Sequence, residues 1–207
     1  MIFISKQITF ALLKNHKVES VFESEQTFSK LNFSEKPLPK GEYEYCTFPN
    51  CDFSNSDLND VQFLECEFIS CNLSMVKLTK TAFRNVIFKD CKMLGLHFEH
   101  CNPFGLSFSF DNCQMNLSSF YQTKTKKIIF KNCSLQEVDF TDSDISGSIF
   151  RDCDLAQAIF ENTIIEKADF RTASNYSIDL EKNKHKKAKF SIAGISGLLN
   201  KYNIEIS

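Results

Sequence analysis

The sequence predicts an all-β solenoid in which a four-sided coil of about 20 residues repeats along most of the chain. A large apolar residue recurs at every fifth position, a small residue stands two before it, and six cysteines recur at an interval of 20 broken by one step of 22. A period of five fits neither a helix, with about 3.6, nor a strand, with about 2. It fits a backbone that turns a corner every five residues, so that each fifth side chain returns to the inside.

The large residues run Phe28, Phe33, Leu38, Tyr43, Phe48, Phe53, Leu58, Phe63, Phe68, Leu73, Leu78, Phe83, Phe88, Met93 and Phe98. After a slip of two they resume at Phe110, Met115 and Phe120, break at Thr125, and continue through Phe130, Leu135, Phe140, Ile145, Phe150, Leu155, Phe160, Ile165 and Phe170. With Phe190, 17 of the 22 phenylalanines lie on these phases, where chance puts roughly one in five. The small slot holds residues such as Cys46, Ser56, Val61, Thr81, Ser118, Val138 and Ala168, while the other three positions are mostly polar. Outward positions such as Asn55 are expected to tolerate alanine within about 0.5 kcal/mol.

The cysteines set the number of sides. All nine take the small inward slot, and Cys51, Cys71, Cys91, Cys113, Cys133 and Cys153 fall in one column if four pentapeptides make a coil. Free cysteine packs as a small hydrophobe, so a column of reduced, buried thiols is expected. Coils about 4.8 Å apart bring neighbouring cysteines within bridging range, but parallel inward Cβ vectors and a reducing cytosol oppose disulfides.

Residues 1–21, with Ile2, Phe3, Ile4, Ile8, Phe10, Leu12 and Leu13, are expected to cap one end of a solenoid spanning 22–190. Pro37 and Pro39 predict a loop over 35–41 that interrupts the first coil and leaves Leu38 in register by coincidence. Pro103 and Gly105 predict a bulge over 101–107, and the fading pattern over 173–187 an irregular, lysine-rich last coil. In 191–207, Ile195, Leu198, Leu199 and Tyr202 have helical spacing and predict a short helix; Ile204 to Ile206 alternate as a brief strand. Ile195, Leu198, Leu199, Tyr202 and Ile204 exceed what one coil end buries, which predicts a two-fold dimer contact. The alternative is a flat monomer cap, permitted by close approach at Gly194 and Gly197.

Twenty-four basic and 26 acidic residues leave a net charge of −2, which argues against direct nucleic-acid binding through bulk positive charge. Lys6 and Lys14 interrupt the apolar start, so neither a signal peptide nor a membrane span is expected, and the chain is expected to be cytoplasmic. No nucleophile elbow, phosphate loop or His-Glu-x-x-His motif occurs, and a convex rod offers no cleft for a carboxylate pair. No catalytic residue, cofactor or enzyme activity is therefore expected. Cys91, His97, His100 and Cys101 bear zinc-type donors, but they alternate between inside and outside and match no zinc spacing; no metal is expected. Lys182, Lys184, Lys186, Lys187 and Lys189 read as a solvated surface without the aromatics that base stacking needs.

Ser56-Asp57-Leu58, Cys71-Asn72-Leu73, Cys153-Asp154-Leu155 and Ala168-Asp169-Phe170 resemble the signature of the pentapeptide-repeat family, and the resemblance spans roughly residues 28–190. It implies a right-handed quadrilateral parallel β-helix. The ending Ile195-Ser196-Gly197-Leu198-Leu199-Asn200-Lys201-Tyr202-Asn203-Ile204 is similar to that of the Qnr-type quinolone-resistance proteins. That likeness implies a terminal helix joining two rods, and a DNA mimic that binds type II topoisomerase such as DNA gyrase. Residues 42–170 hold 19 acids and 11 bases, a net of −8. They fill about 30 Å of rod, a length over which duplex DNA carries about 18 charges. The expected function is a non-enzymatic, rigid protein-interaction surface. The topoisomerase is the specific partner that the resemblance implies; a scaffold for another protein partner is the alternative.

Overall fold

The structure is a computed structural model that describes residues 20–205. Its strands are β1 (Val21–Ser24), β2 (Gly41–Glu44), β3 (Thr47–Pro49), β4 (Gln62–Leu64), β5 (Glu67–Ile69), β6 (Ala82–Arg84), β7 (Val86–Lys89), β8 (Phe108–Asp111), β9 (Ile129–Lys131) and β10 (Ile149–Arg151). They form two parallel sheets, β1-β2-β4-β6 and β3-β5-β7-β8-β9-β10. Partners are one coil apart: Val21 faces Gly41 and Phe48 faces Phe68, whereas Val86 faces Phe108 across the slip. Isolated parallel bridges such as Asp52 to Asn72 and Asp57 to Lys77 repeat that register on the other two sides. The chain is thus a parallel β-solenoid with sides A (through Tyr43), B (Phe48), C (Phe53) and D (Leu58).

Two corner chemistries build these sides. On sides C and D the corner amide bonds back to the carbonyl of the large residue, as Ser56 N does to Phe53 O at 2.9 Å. The Asp or Asn before the large residue accepts the amide after it, as Asp52 Oδ1 does from Ser54 N at 2.8 Å and Asp57 Oδ1 from Asn59 N at 2.8 Å. These side-chain turns explain the Asp/Asn of the signature triplets. On strand sides a thiol of the next coil supplies the carbonyl's partner. Cys51 Sγ donates to Phe28 O and Cys71 Sγ to Phe48 O, both at 2.9 Å, and Cys66 Sγ to Tyr43 O at 3.2 Å. Strands β2, β3, β4, β5, β7, β8, β9 and β10 are each followed two residues on by a cysteine, whereas β6 is followed by Val86.

The inside of side B is an unbroken stack of Phe28, Phe48, Phe68, Phe88, Phe110, Phe130, Phe150, Phe170 and Phe190, with neighbouring ring centroids 4.6–5.3 Å apart. The cysteine column lies beside it. Cys51, Cys71, Cys91, Cys113, Cys133 and Cys153 are all buried and free, as are Cys46, Cys66 and Cys101. Burial pushes the Cys66 thiol up to about 12 and also raises Cys46, Cys51 and Cys101.

Several local expectations are corrected. Residues 35–41 do not interrupt the first coil, because the 20-residue register holds on both sides of them and Leu38 is 3% exposed in the core. Pro39 stands one after the large residue, where the amide has no ladder role. Pro37 stands one before it, the slot whose amide in later coils bonds the coil before, as Asp52 N does to Leu31 O at 2.9 Å; for Pro37 that partner position lies outside the described residues. Residues 173–187 keep register through the Asp154–Ser174 and Ile164–Lys184 bridges. Tyr176, off the five-residue phase, and Ile178, a large residue in the small inward slot, fill the interior there, and the buried Asn183 amide donates to Phe160 O at 2.9 Å. The expected C-terminal helix is instead two 3-10 turns, Ile195–Leu198 and Asn200–Tyr202, and residues 203–205 are irregular rather than strand. Beyond Val21, where β1 starts, the expected N-terminal cap falls outside the described residues apart from Ser20. Asn55 has φ 56°, so alanine there meets a left-handed penalty of about 1–2 kcal/mol.

Candidate interaction surfaces

A solenoid holds its outward side chains in columns, so charge on each side can be followed level by level. Over residues 113–163, sides C and D carry Glu137, Asp139, Asp142, Asp154 and Glu161 and no lysine or arginine. Those three coils span about 14 Å, over which duplex DNA carries about 8 charges. Asp154 is held below the usual carboxylate range, despite partial burial, by Asn175 and Gln136. Lower on the same sides, acids and bases share columns: Asp52 bridges Asn72, which bridges Lys92, and Asp57 bridges Lys77. The acidic flank is therefore confined to the upper rod.

Side A has the opposite arrangement. Its upper half exposes Lys124, Lys126, Lys127, Lys167, Lys184, Lys186 and Lys187, and its lower half carries Glu42, Glu44 and Glu65 beside Tyr45. Of the lysine run singled out by its sequence, Lys182 pairs with Glu161 at 2.8 Å and Lys189 approaches Asp169 at 4.0 Å. The structure divides that run among sides, which linear spacing did not reveal.

The slip is the main irregularity on this surface. Phe104 projects from it, 78% exposed, with the Arg84 guanidinium 5.9 Å from the ring centroid. Beside it a cavity of about 570 Å³ opens between Phe98, Cys101, Pro103, Leu106, Tyr121 and Lys124. Cys91 and Cys101 are buried, while His97 faces outward, 2.9 Å from Glu99 and stacked on His100 with centroids 5.4 Å apart. The four donors do not converge. Among the described residues, no group of three or more His, Cys, Asp and Glu is arranged to hold a metal ion.

At the C-terminal end the 3-10 turns lie flat on Tyr176. A Cβ at Gly194 would collide with its hydroxyl, and one at Gly197 with its carbonyl oxygen. Leu198 packs partly into the core and Leu199 is half-buried, whereas Ile192, Ile195, Tyr202 and Ile204 remain exposed. Lys201 ties the turn down through Asp179 at 2.7 Å and Glu181 at 2.8 Å. The five residues expected at a dimer contact thus share one end of the rod, without forming a helix face.

Comparison with known proteins places the fold. No curated protein matches the sequence. The structure is similar to that of trypsin-treated QnrB1, a plasmid-mediated fluoroquinolone resistance protein, with a TM-score of 0.57 and 16% identity, covering 91% of this chain and 99% of that one. HetL, a pentapeptide repeat protein involved in heterocyst differentiation regulation in the cyanobacterium Nostoc, gives a TM-score of 0.34 and 14% identity, covering 80% of this chain and 86% of that one. The family model for a pentapeptide repeat region matches residues 42–108 and 62–140, and the model for eight copies of the pentapeptide repeat matches 133–171. Together they span most of the solenoid, and the chain belongs to the pentapeptide-repeat family.

Proposed function

We propose that the chain is a non-enzymatic, cytoplasmic interaction rod whose acidic upper flank binds a type II topoisomerase at the surface that otherwise holds DNA. The observation that carries this reading is the run of five carboxylates on sides C and D over residues 113–163, of which only Glu161 is paired with a base, Lys182 of the next coil. The four unpaired carboxylates give about half the charge density of duplex DNA, concentrated on two adjacent sides. The fold shared with QnrB1 over 99% of that chain supports it. The exposed Ile192, Ile195, Tyr202 and Ile204 make the C-terminal end the proposed contact between two rods.

A gyrase supercoiling assay with and without fluoroquinolone tests the partner. Protection or inhibition at micromolar protein, lost in Glu137→Lys/Asp139→Lys/Asp142→Lys, is the expected result. If the unmutated chain neither protects nor inhibits, the topoisomerase reading is removed and the rod is a scaffold for another protein. Light scattering of the intact chain and of Ile192→Glu/Ile195→Glu tests the end contact: an unmutated monomer at tens of micromolar removes it.

A further inference from the structure

We propose that side A is a second, independent self-association face, through which two rods pack side by side and antiparallel. The argument rests on its charge order along the rod. From the N-terminal end its levels are centred on residues 23, 43, 63, 83, the slip at 102–105, 125, 145, 165 and 185, as the β1-β2-β4-β6 ladder and the Lys124–Asp144, Asp144–Ile164 and Ile164–Lys184 bridges show. Acids predominate low, where Arg84 is the exception, and lysines high, where Asp144 and Glu166 stand among them. Among the described residues, neither Glu42 nor Glu44, nor any of Lys124, Lys127, Lys167, Lys184, Lys186 and Lys187, joins an ion pair.

A two-fold axis lying in the interface and crossing the rods reverses their direction but preserves left and right. A residue before the large one therefore meets another before it, and a residue after meets another after. If the axis passes between the slip and the level of Thr125, the level of Tyr43 faces that of His185. Glu42 then meets Lys184, Glu44 meets Lys186, and Tyr45 meets Lys187. One level inward Glu65 meets Lys167, and beside the axis Phe104 meets Lys126, a cation that is paired with Asp144 at 3.1 Å in the single rod and can lie over an aromatic face. Gln62, Leu64, Ala82 and Arg84 meet Ile164, Glu166, Asp144 and Ser146, so no like charges are opposed. Each contact occurs twice.

The same packing covers the most exposed phenylalanine of the described residues, Phe104, and gives a use to a ring that the five-residue frame leaves outside. Eight levels of about 4.8 Å and about 10 Å of width bury roughly 800 Å² over both rods, below the ~1,600 Å² of a standard interface. The association is accordingly weak, and mostly electrostatic.

Sedimentation velocity on the full chain carrying Ile192→Glu/Ile195→Glu, exposed positions of the proposed end contact, isolates this face. A dimer is expected at high micromolar protein in ~0.1 M salt, and its loss in ~1 M salt, where the screening length falls from about 10 to about 3 Å. Glu42→Lys/Glu44→Lys should weaken it at least tenfold, as should Lys184→Glu/Lys186→Glu. The combined fourfold swap should restore it, because the pairs re-form with reversed sign; a merely destabilised rod would not recover. A monomer at all salt concentrations, a mass indifferent to the single-sided swaps, or a fourfold variant that stays monomeric overturns the proposal. So does a monomeric rod that binds duplex DNA through the lysines, which would assign them to a polyanion instead.

Discussion

Below the slip, two adjacent sides are strands and the interior pairs an aromatic column on side A, Tyr43, Phe63 and Phe83, with the phenylalanine stack of side B. Above it side A loses its strands and its rings, holding Thr125, Ile145 and Ile165, and the second aromatic column moves to side D as Phe98, Phe120, Phe140 and Phe160. Side D stays turn-like with or without rings. The large residue therefore does not decide whether a side is strand or turn. The corner amide distinguishes them: on turn sides it bonds the large residue's carbonyl internally, as Val61 N does to Leu58 O. Nearly every strand is instead followed by a cysteine whose thiol bonds that carbonyl from the next coil, a bond that hydroxyls such as Thr81 also make on side D. Side B is common to both halves and joins them into one core.

The largest effect should come from breaking what the halves share. Phe130→Ala removes a ring in contact with Phe110 and Phe150 above and below and should cost about 3–5 kcal/mol; Ile145→Val on side A, which only the upper half builds without rings, should cost about 0.5–1.5 kcal/mol. Denaturant unfolding measures both, and equal losses would erase the distinction between the columns.

Alkaline pH attacks the corner chemistry. Buried thiols with raised folded pKa contribute stability that is present below their ordinary value of about 9 and lost as pH rises towards the folded value, about 12 for Cys66. The melting temperature should fall progressively above about pH 9, and less in Cys66→Ser, which removes one such thiol. A melting temperature flat from pH 8 to 11 would contradict buried thiols at the corners.

Gly197→Ala should cost about 1–3 kcal/mol by overpacking, because its Cβ meets the Tyr176 carbonyl. Hydrogen exchange should show the loss in the last coil of the upper half and leave the lower half protected. The smallest effect has the opposite sign. The Thr125 hydroxyl is buried without a partner, so Thr125→Val should stabilise by about 1 kcal/mol. A destabilised Thr125→Val would mean that the break in the upper column is filled by something other than a poorly satisfied side chain.

Much of this was legible residue by residue. The inward frame placed Phe48, Phe68 and the cysteines correctly because a five-residue period survives any choice of outer residue. It missed Tyr176, which enters the core off phase where the last coil relaxes, and it took Leu38 for a coincidence because Pro37 and Pro39 were weighed as breakers without regard to their place in the five-residue frame. The left-handed conformation of Asn55 and its counterparts carries a side-chain signal in the Asn, Asp and Gly that fill about half of those corners, but Tyr45, Met75, Leu117 and Lys127 adopt it as well.

The sequence by itself determined the four-sided coil, the two-residue slip and the buried thiol column, because each is a periodicity and a core must repeat its volume at every level. Only the tertiary structure decided which sides are strands, how the C-terminal residues lie on Tyr176, and that lysines and glutamates far apart in the chain share side A while the carboxylates of the upper rod gather on sides C and D. Those properties depend on how successive coils are stacked and on which groups meet at a corner, and a linear count of residues contains neither.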